Sequence, residues 1–138
     1  MRSWVYLLSV MIVLMINKLI KITLLAIHEE PINLKTLTRS GDMPSDHSAM
    51  VASITTTLGL VNGFDHPLFA LSLVFAILVV YDSMHVRLSA GEQGEALNQL
   101  LIKRRKKPIE VHLGHEPIEV YVGILIGGVV SFLIYQLF

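Results

Sequence analysis

The residues from Trp4 to Ile16 form an apolar run whose helical spacing continues through Leu19, Ile20, Ile22 and Leu24. A bilayer core of about 30 Å needs about 20 helical residues, so this stretch predicts a membrane span over about residues 4–23. Arg2 ahead of the run imitates the start of a signal peptide, but no small-residue cleavage site follows, and the segment reads as a retained anchor. Lys18 and Lys21 fall in its last turns, where they either snorkel to the interface or point inward. Only 16% of the 138 residues are charged, against roughly 25% in soluble domains, and the apolar residues are gathered into runs. The chain is therefore expected to be a single membrane domain over residues 1–138.

Three further stretches extend this reading. Residues 47–62 are only mildly apolar and rich in serine, threonine, alanine and glycine, which suits a helix packed on all sides by others. Residues 67–82 are more apolar, with Pro67 placed for the first turn of a helix. Residues 117–137 are long enough to span and carry Gly123 and Gly127 at the spacing that lets helix backbones approach closely. Packing within the chain is the plainer use of that pair, and a seam between two copies is the alternative. The expected fold class is all-α: an integral membrane helical bundle with about four transmembrane helices, and long polar loops at 24–46 and 83–116. In the second loop Ala96, Leu97, Leu100 and Leu101 make a short amphipathic face, read as an interfacial helix with a basic end at Lys103 to Lys107.

A formal net charge of +0 and one short basic run give no case for a nucleic-acid partner, and the lack of cysteine removes disulfides, thiolate metal sites and thiol catalysis. With four spans, Lys35, Arg39, Arg87 and the run at 103–107 share one face, opposite Arg2. The positive-inside rule then predicts that both long loops are cytoplasmic in a cell-membrane protein.

Polar residues gather in three clusters on that face. In Gly41-Asp42-Met43-Pro44-Ser45-Asp46-His47-Ser48-Ala49, Ser45 can cap the second helix, whose first-turn N–H groups form an anion site beside His47. In Tyr81-Asp82-Ser83-Met84-His85-Val86-Arg87, the guanidinium suits bidentate contact with an oxyanion. In Gly114-His115-Glu116-Pro117-Ile118-Glu119-Val120, His115 and Glu119 stand four apart across a helix start, so the carboxylate can hold the imidazole tautomer. A histidine so held is prepared as a nucleophile or base. Each cluster also has a plain structural use, as a cap or a solvated interface residue; their convergence on one face is what points to a site.

These three clusters in this order, with Phe69-Ala70, Gly91, Gln93, Leu97-Asn98 and Gly123 between and after them, resemble the divergent type-2 phosphatidic acid phosphatase family. Its members are small membrane proteins also described as acid phosphatase/vanadium-dependent haloperoxidase-related. The resemblance implies a helical membrane phosphatase working through a phosphohistidine intermediate, without metal or other cofactor, on a lipid phosphate. By position His115 resembles the nucleophile and Glu119 its orienting carboxylate. His47 resembles the acid for the leaving oxygen, and Lys21, Arg39, Ser45 and Arg87 resemble phosphate ligands; Asp46, Asp82 and His85, taken from this sequence and not from the family pattern, are candidates for supporting positions.

The sequence departs from the family pattern at Asp42, Asp46, His85 and Leu88, where a glycine, a small residue, a glycine and an arginine are usual. Two added carboxylates and one lost guanidinium disfavour a phosphate dianion. A non-catalytic protein that binds a lipid phosphate or supports an assembly is therefore an open alternative. So is a metal site drawn from Asp42, Asp46, His47, His85, His112, His115 and Glu119.

Overall fold

The computed structural model of the chain describes residues 4–29, 43–111 and 114–137, and among these the regular structure is helical throughout. Helix α1 covers Trp4–Ile27, α2 Asp46–Asn62 and α3 Pro67–Tyr81. A π-helical turn, Asp82–Val86, joins α3 without a break to α4, Arg87–Lys103, and α5 covers Pro117–Leu137. Three helical stretches among the described residues are long and apolar enough to cross a membrane: α1, the continuous 67–103 helix and α5.

The expected span at 47–62 is the 17-residue α2, and it is not one of these three. Its position explains its composition. It packs against α1, α3 and α5, so it needs small surfaces for protein neighbours more than apolar ones for lipid. Gly123 and Gly127 of α5 face it: a Cβ on Gly123 would lie 2.6 Å from the Ser45 carbonyl oxygen, and one on Gly127 would strike the Ala49 carbonyl oxygen. The two glycines are buried in this seam, so the alternative of a contact between two copies through them is set aside.

Polar side chains fasten the other contacts of α2. Ser53 and Ser131 hydroxyls meet at 2.7 Å, Asn62 donates to the Tyr6 hydroxyl at 2.8 Å, and Thr55 donates to the Ser72 carbonyl at 3.2 Å. On α1 the buried residues recur every fourth position, Val5, Ser9, Val13, Asn17, Lys21 and Leu25, as one ridge against the bundle. Helix α3 buries none of its side chains. Its start is set by Pro67 in the first turn and His66 as the cap, whose ring accepts from the Leu68 N–H.

Residues 83–116, expected as a loop with a short interfacial helix, are helical as far as Lys103. Nothing in 83–103 stops the helix, since no proline interrupts it, and the π turn absorbs one extra residue per turn instead of ending the ladder.

Candidate active site

The site is assembled where the first turn of α2, the π turn and the start of α5 meet. Ser45 is the N-cap of α2, and its hydroxyl oxygen accepts from the Ser48 N–H at 3.4 Å and the Ser48 hydroxyl at 3.1 Å. Its own N–H donates to the Glu119 carbonyl at 3.2 Å, which ties the α2 start to α5. Ser45 is thus fully buried and occupied as a cap, with its hydroxyl hydrogen still available.

At the start of α5 the Glu119 carboxylate does two things. It accepts the Glu116 N–H at 3.1 Å, as in a capping box, and it lies 2.9 Å from His115 Nδ1. A carboxylate offers no hydrogen in its ionised form, so Nδ1 is the donor of this pair and Nε2 is the ring nitrogen left on the far side from it. His115 is 6% exposed, and its N–H donates to the Ser83 carbonyl at 3.1 Å. Gly114 beside it is pressed onto the Arg87–Leu88 backbone so closely that a Cβ would strike the Leu88 N–H. The histidine is therefore fixed to both α5 and the π turn.

The π turn brings Asp82 and Arg87, five apart, to one side, and Arg87 Nε donates to Asp82 Oδ2 at 2.7 Å. That bond leaves the two Nη groups as the open edge of the fork. His47, Asp82 and Arg87 line a groove of about 370 Å³ whose remaining wall is apolar: Met50, Val51, Phe75, Leu78 and Val79. His115 is not part of that wall. Its neighbour Gly114 packs on the Arg87–Leu88 backbone, its N–H bonds the Ser83 carbonyl, and in its protonated form it acts, like Arg87, on His47. Burial first, then Arg87 and His115, hold the His47 imidazole below its ordinary value, while Asp46 and Asp82 pull the other way.

Lys21 and Asp46 lie on the α1 side of α2. Lys21 is buried, and Lys18 Nζ pairs with Asp46 Oδ2 at 2.6 Å. Asn17, also fully buried, donates from Nδ2 to Asp46 Oδ1 at 2.6 Å and to the Pro44 carbonyl at 3.3 Å, and its own oxygen meets no partner among the described residues. Burial raises the Asp46 carboxyl, but the Lys18 and Asn17 hydrogen bonds and the charges of Lys18 and Lys21 outweigh it and leave it below its ordinary value. A group lowered on folding adds stability above its unfolded value, near pH 4, that fades as pH falls through the folded one. We expect Asp46→Asn to lower the thermal stability of the solubilised protein at neutral pH by up to about 1 kcal/mol and to flatten its acid limb; an unchanged limb in a pH series of melting curves would refute this.

His85 does not join the groove lining: it stacks on Tyr81 with centroids 4.3 Å apart and its Nδ1 lies 3.2 Å from the Tyr81 carbonyl. Arg39, Asp42 and His112 lie outside the described residues. Among the described residues no three histidine, aspartate or glutamate side chains come together as a metal site would need. Asn17 is the site-side residue the sequence reading missed. Its signal is a polar residue one turn before Lys21 in a mainly apolar span.

Fold and spacing together define an integral membrane helical bundle with a polar cluster at one end. The chain belongs to the Divergent PAP2 family, whose profile matches residues 3–130. It is similar to the uncharacterized membrane protein YuiD of Bacillus subtilis (strain 168), at 34% identity over 138 aligned positions that cover 88% of this chain and 87% of that protein. No solved structure matches it.

Proposed function

We propose that this chain is a membrane phosphatase that removes phosphate from a lipid-linked phosphomonoester or pyrophosphate through His115. The observation that carries the reading is the buried His115–Glu119 pair, 2.9 Å apart, which leaves Nε2 on the far side of the ring from the carboxylate. Nε2 attacks phosphorus, the bond to the leaving oxygen breaks, and His47 in its protonated form gives that oxygen a proton. Water then attacks the phosphohistidine, with His47 now taking the proton, and inorganic phosphate leaves. The Nη edge of Arg87, Lys21 and the α2 N-terminus supply positive potential to the phosphoryl oxygens. The apolar wall beside His47 and Arg87 supports a lipid-linked substrate, because a headgroup reaches the cluster while its chain stays in an apolar channel.

The test is phosphate release by purified, detergent-solubilised protein from a panel of lipid phosphates and pyrophosphates. The expected result is chelator-resistant release that vanadate inhibits. Chelator-sensitive release would point to a metal route. Lipid-phosphate binding without turnover in folded protein would favour a binding function, a reading supported by the Asp82 carboxylate on Arg87.

A further inference from the structure

Helix α4 leaves the bundle. It packs on the π turn that carries it and not, to any substantial extent, on α1, α2, α3 or α5. Seventeen residues make it about 25 Å long. At its tip the chain turns back in a defined way: the Lys106 N–H donates to the Leu101 carbonyl and the Arg105 N–H to the Ile102 carbonyl, both at 2.9 Å. This is a Schellman closure, whose left-handed position is normally glycine. Here it is Arg105, at φ 54°. A cation thus occupies a position where glycine would be less strained.

The returning strand is clamped to the helix. Asn98 Nδ2 donates to the Ile109 carbonyl at 2.9 Å and its Oδ1 accepts the Ile109 N–H at 2.8 Å. A Cβ on Gly94 would lie 2.9 Å from the Val111 side chain, so glycine there lets the strand lie close. The result is an ordered hairpin that displays Lys103, Arg104, Arg105, Lys106 and Lys107, all exposed and none in an ion pair among the described residues. Exposed Leu97, Leu100, Ile102 and Ile109 stand beside them.

We infer that this hairpin is a binding element for anionic lipid headgroups of the membrane in which the chain sits. Five clustered cations complement an anionic surface, and the neighbouring apolar side chains gain by entering the headgroup layer. The attraction decays over about 8 Å at physiological salt, so the arm lies along the surface when it binds, bending at the π turn.

The chain has no cysteine, so Ile102→Cys gives a single labelling site. The full-length variant carries a fluorophore there and is placed in nanodiscs of phosphatidylcholine alone or with phosphatidylglycerol. With the anionic lipid, quenching by an aqueous quencher should fall about fivefold or more, the weight of one basic residue at such a surface, and added salt should reverse it. Replacing all five basic residues with glutamine should abolish the effect. Equal quenching in both lipids, or salt-insensitive protection, overturns the inference, and the salt titration decides the matter even if the five-residue variant does not fold. Protection reproduced by inorganic phosphate in phosphatidylcholine discs would also overturn it, by assigning the cluster to a soluble anion.

Discussion

His115→Ala is expected to lower phosphate release by about 10³-fold or more, some 4 kcal/mol of barrier, because its imidazole is the group proposed to bond covalently to phosphorus. Glu119→Gln separates chemistry from folding. A glutamine oxygen still accepts the Glu116 N–H that closes the first turn of α5, but it no longer offers a charge to the imidazole. Its loss should be smaller, about 10- to 100-fold, with KM little changed. Steady-state kinetics of both variants, beside their melting curves in detergent, check this. A His115→Ala protein that is folded and still releases phosphate at the wild-type rate would end the phosphohistidine reading. Equal losses of rate and stability in Glu119→Gln would make the glutamate a helix cap and nothing more.

The second large effect is structural. Gly127→Leu should abolish the native bundle, and even Gly127→Ala should cost roughly 1–3 kcal/mol, since the added methyl meets the Ala49 carbonyl oxygen of α2 rather than a side chain that can move away. Gly128 provides the control within the same helix. A Cβ there lies 3.8 Å from the Thr56 hydroxyl, an ordinary contact, so Gly128→Ala should melt with the wild type. Thermal unfolding followed by size-exclusion chromatography in detergent distinguishes the two. Equal stability of both alanine variants would mean that α2 and α5 do not approach as closely as described.

The apolar runs of α1, α3 and α5 are legible because bilayer thickness acts on sequence directly, through the length of such a run, whereas the expected span at 47–62 is a shorter helix that is not one of the three able to cross. That a helix backbone approaches α5 closely at Gly123 and Gly127 is legible from their four-residue spacing, but that the partner is α2 is not. His115 and Glu119 are legible because a pair four apart at a helix start depends on local geometry alone. Asp82 and Arg87 are read as site residues too, but their pairing is not legible, since five-residue spacing puts two side chains on different sides of an α-helix, and a π turn leaves no plain mark in residue type. The extent of α4 is hidden by Gly91, Gly94, Glu92 and Glu95, which dilute any apolar period. The anchoring of His115 to Ser83 runs through backbone atoms, and Asn17 meets Asp46 across 29 positions, so neither pairing has a local signature.

The wide turn at Asp82–Val86 also sets an angular phase between two halves of a 37-residue helix. In an unbroken α-helix, residues five apart differ by about 140° around the axis, and Arg87 would face away from its carboxylate partner. One added or removed residue there would turn the whole outer half about 100° while leaving the contacts of α3 as they are. The aim of Arg87, and with it the bearing of the basic hairpin, is thus governed by a residue count rather than by the identity of any side chain.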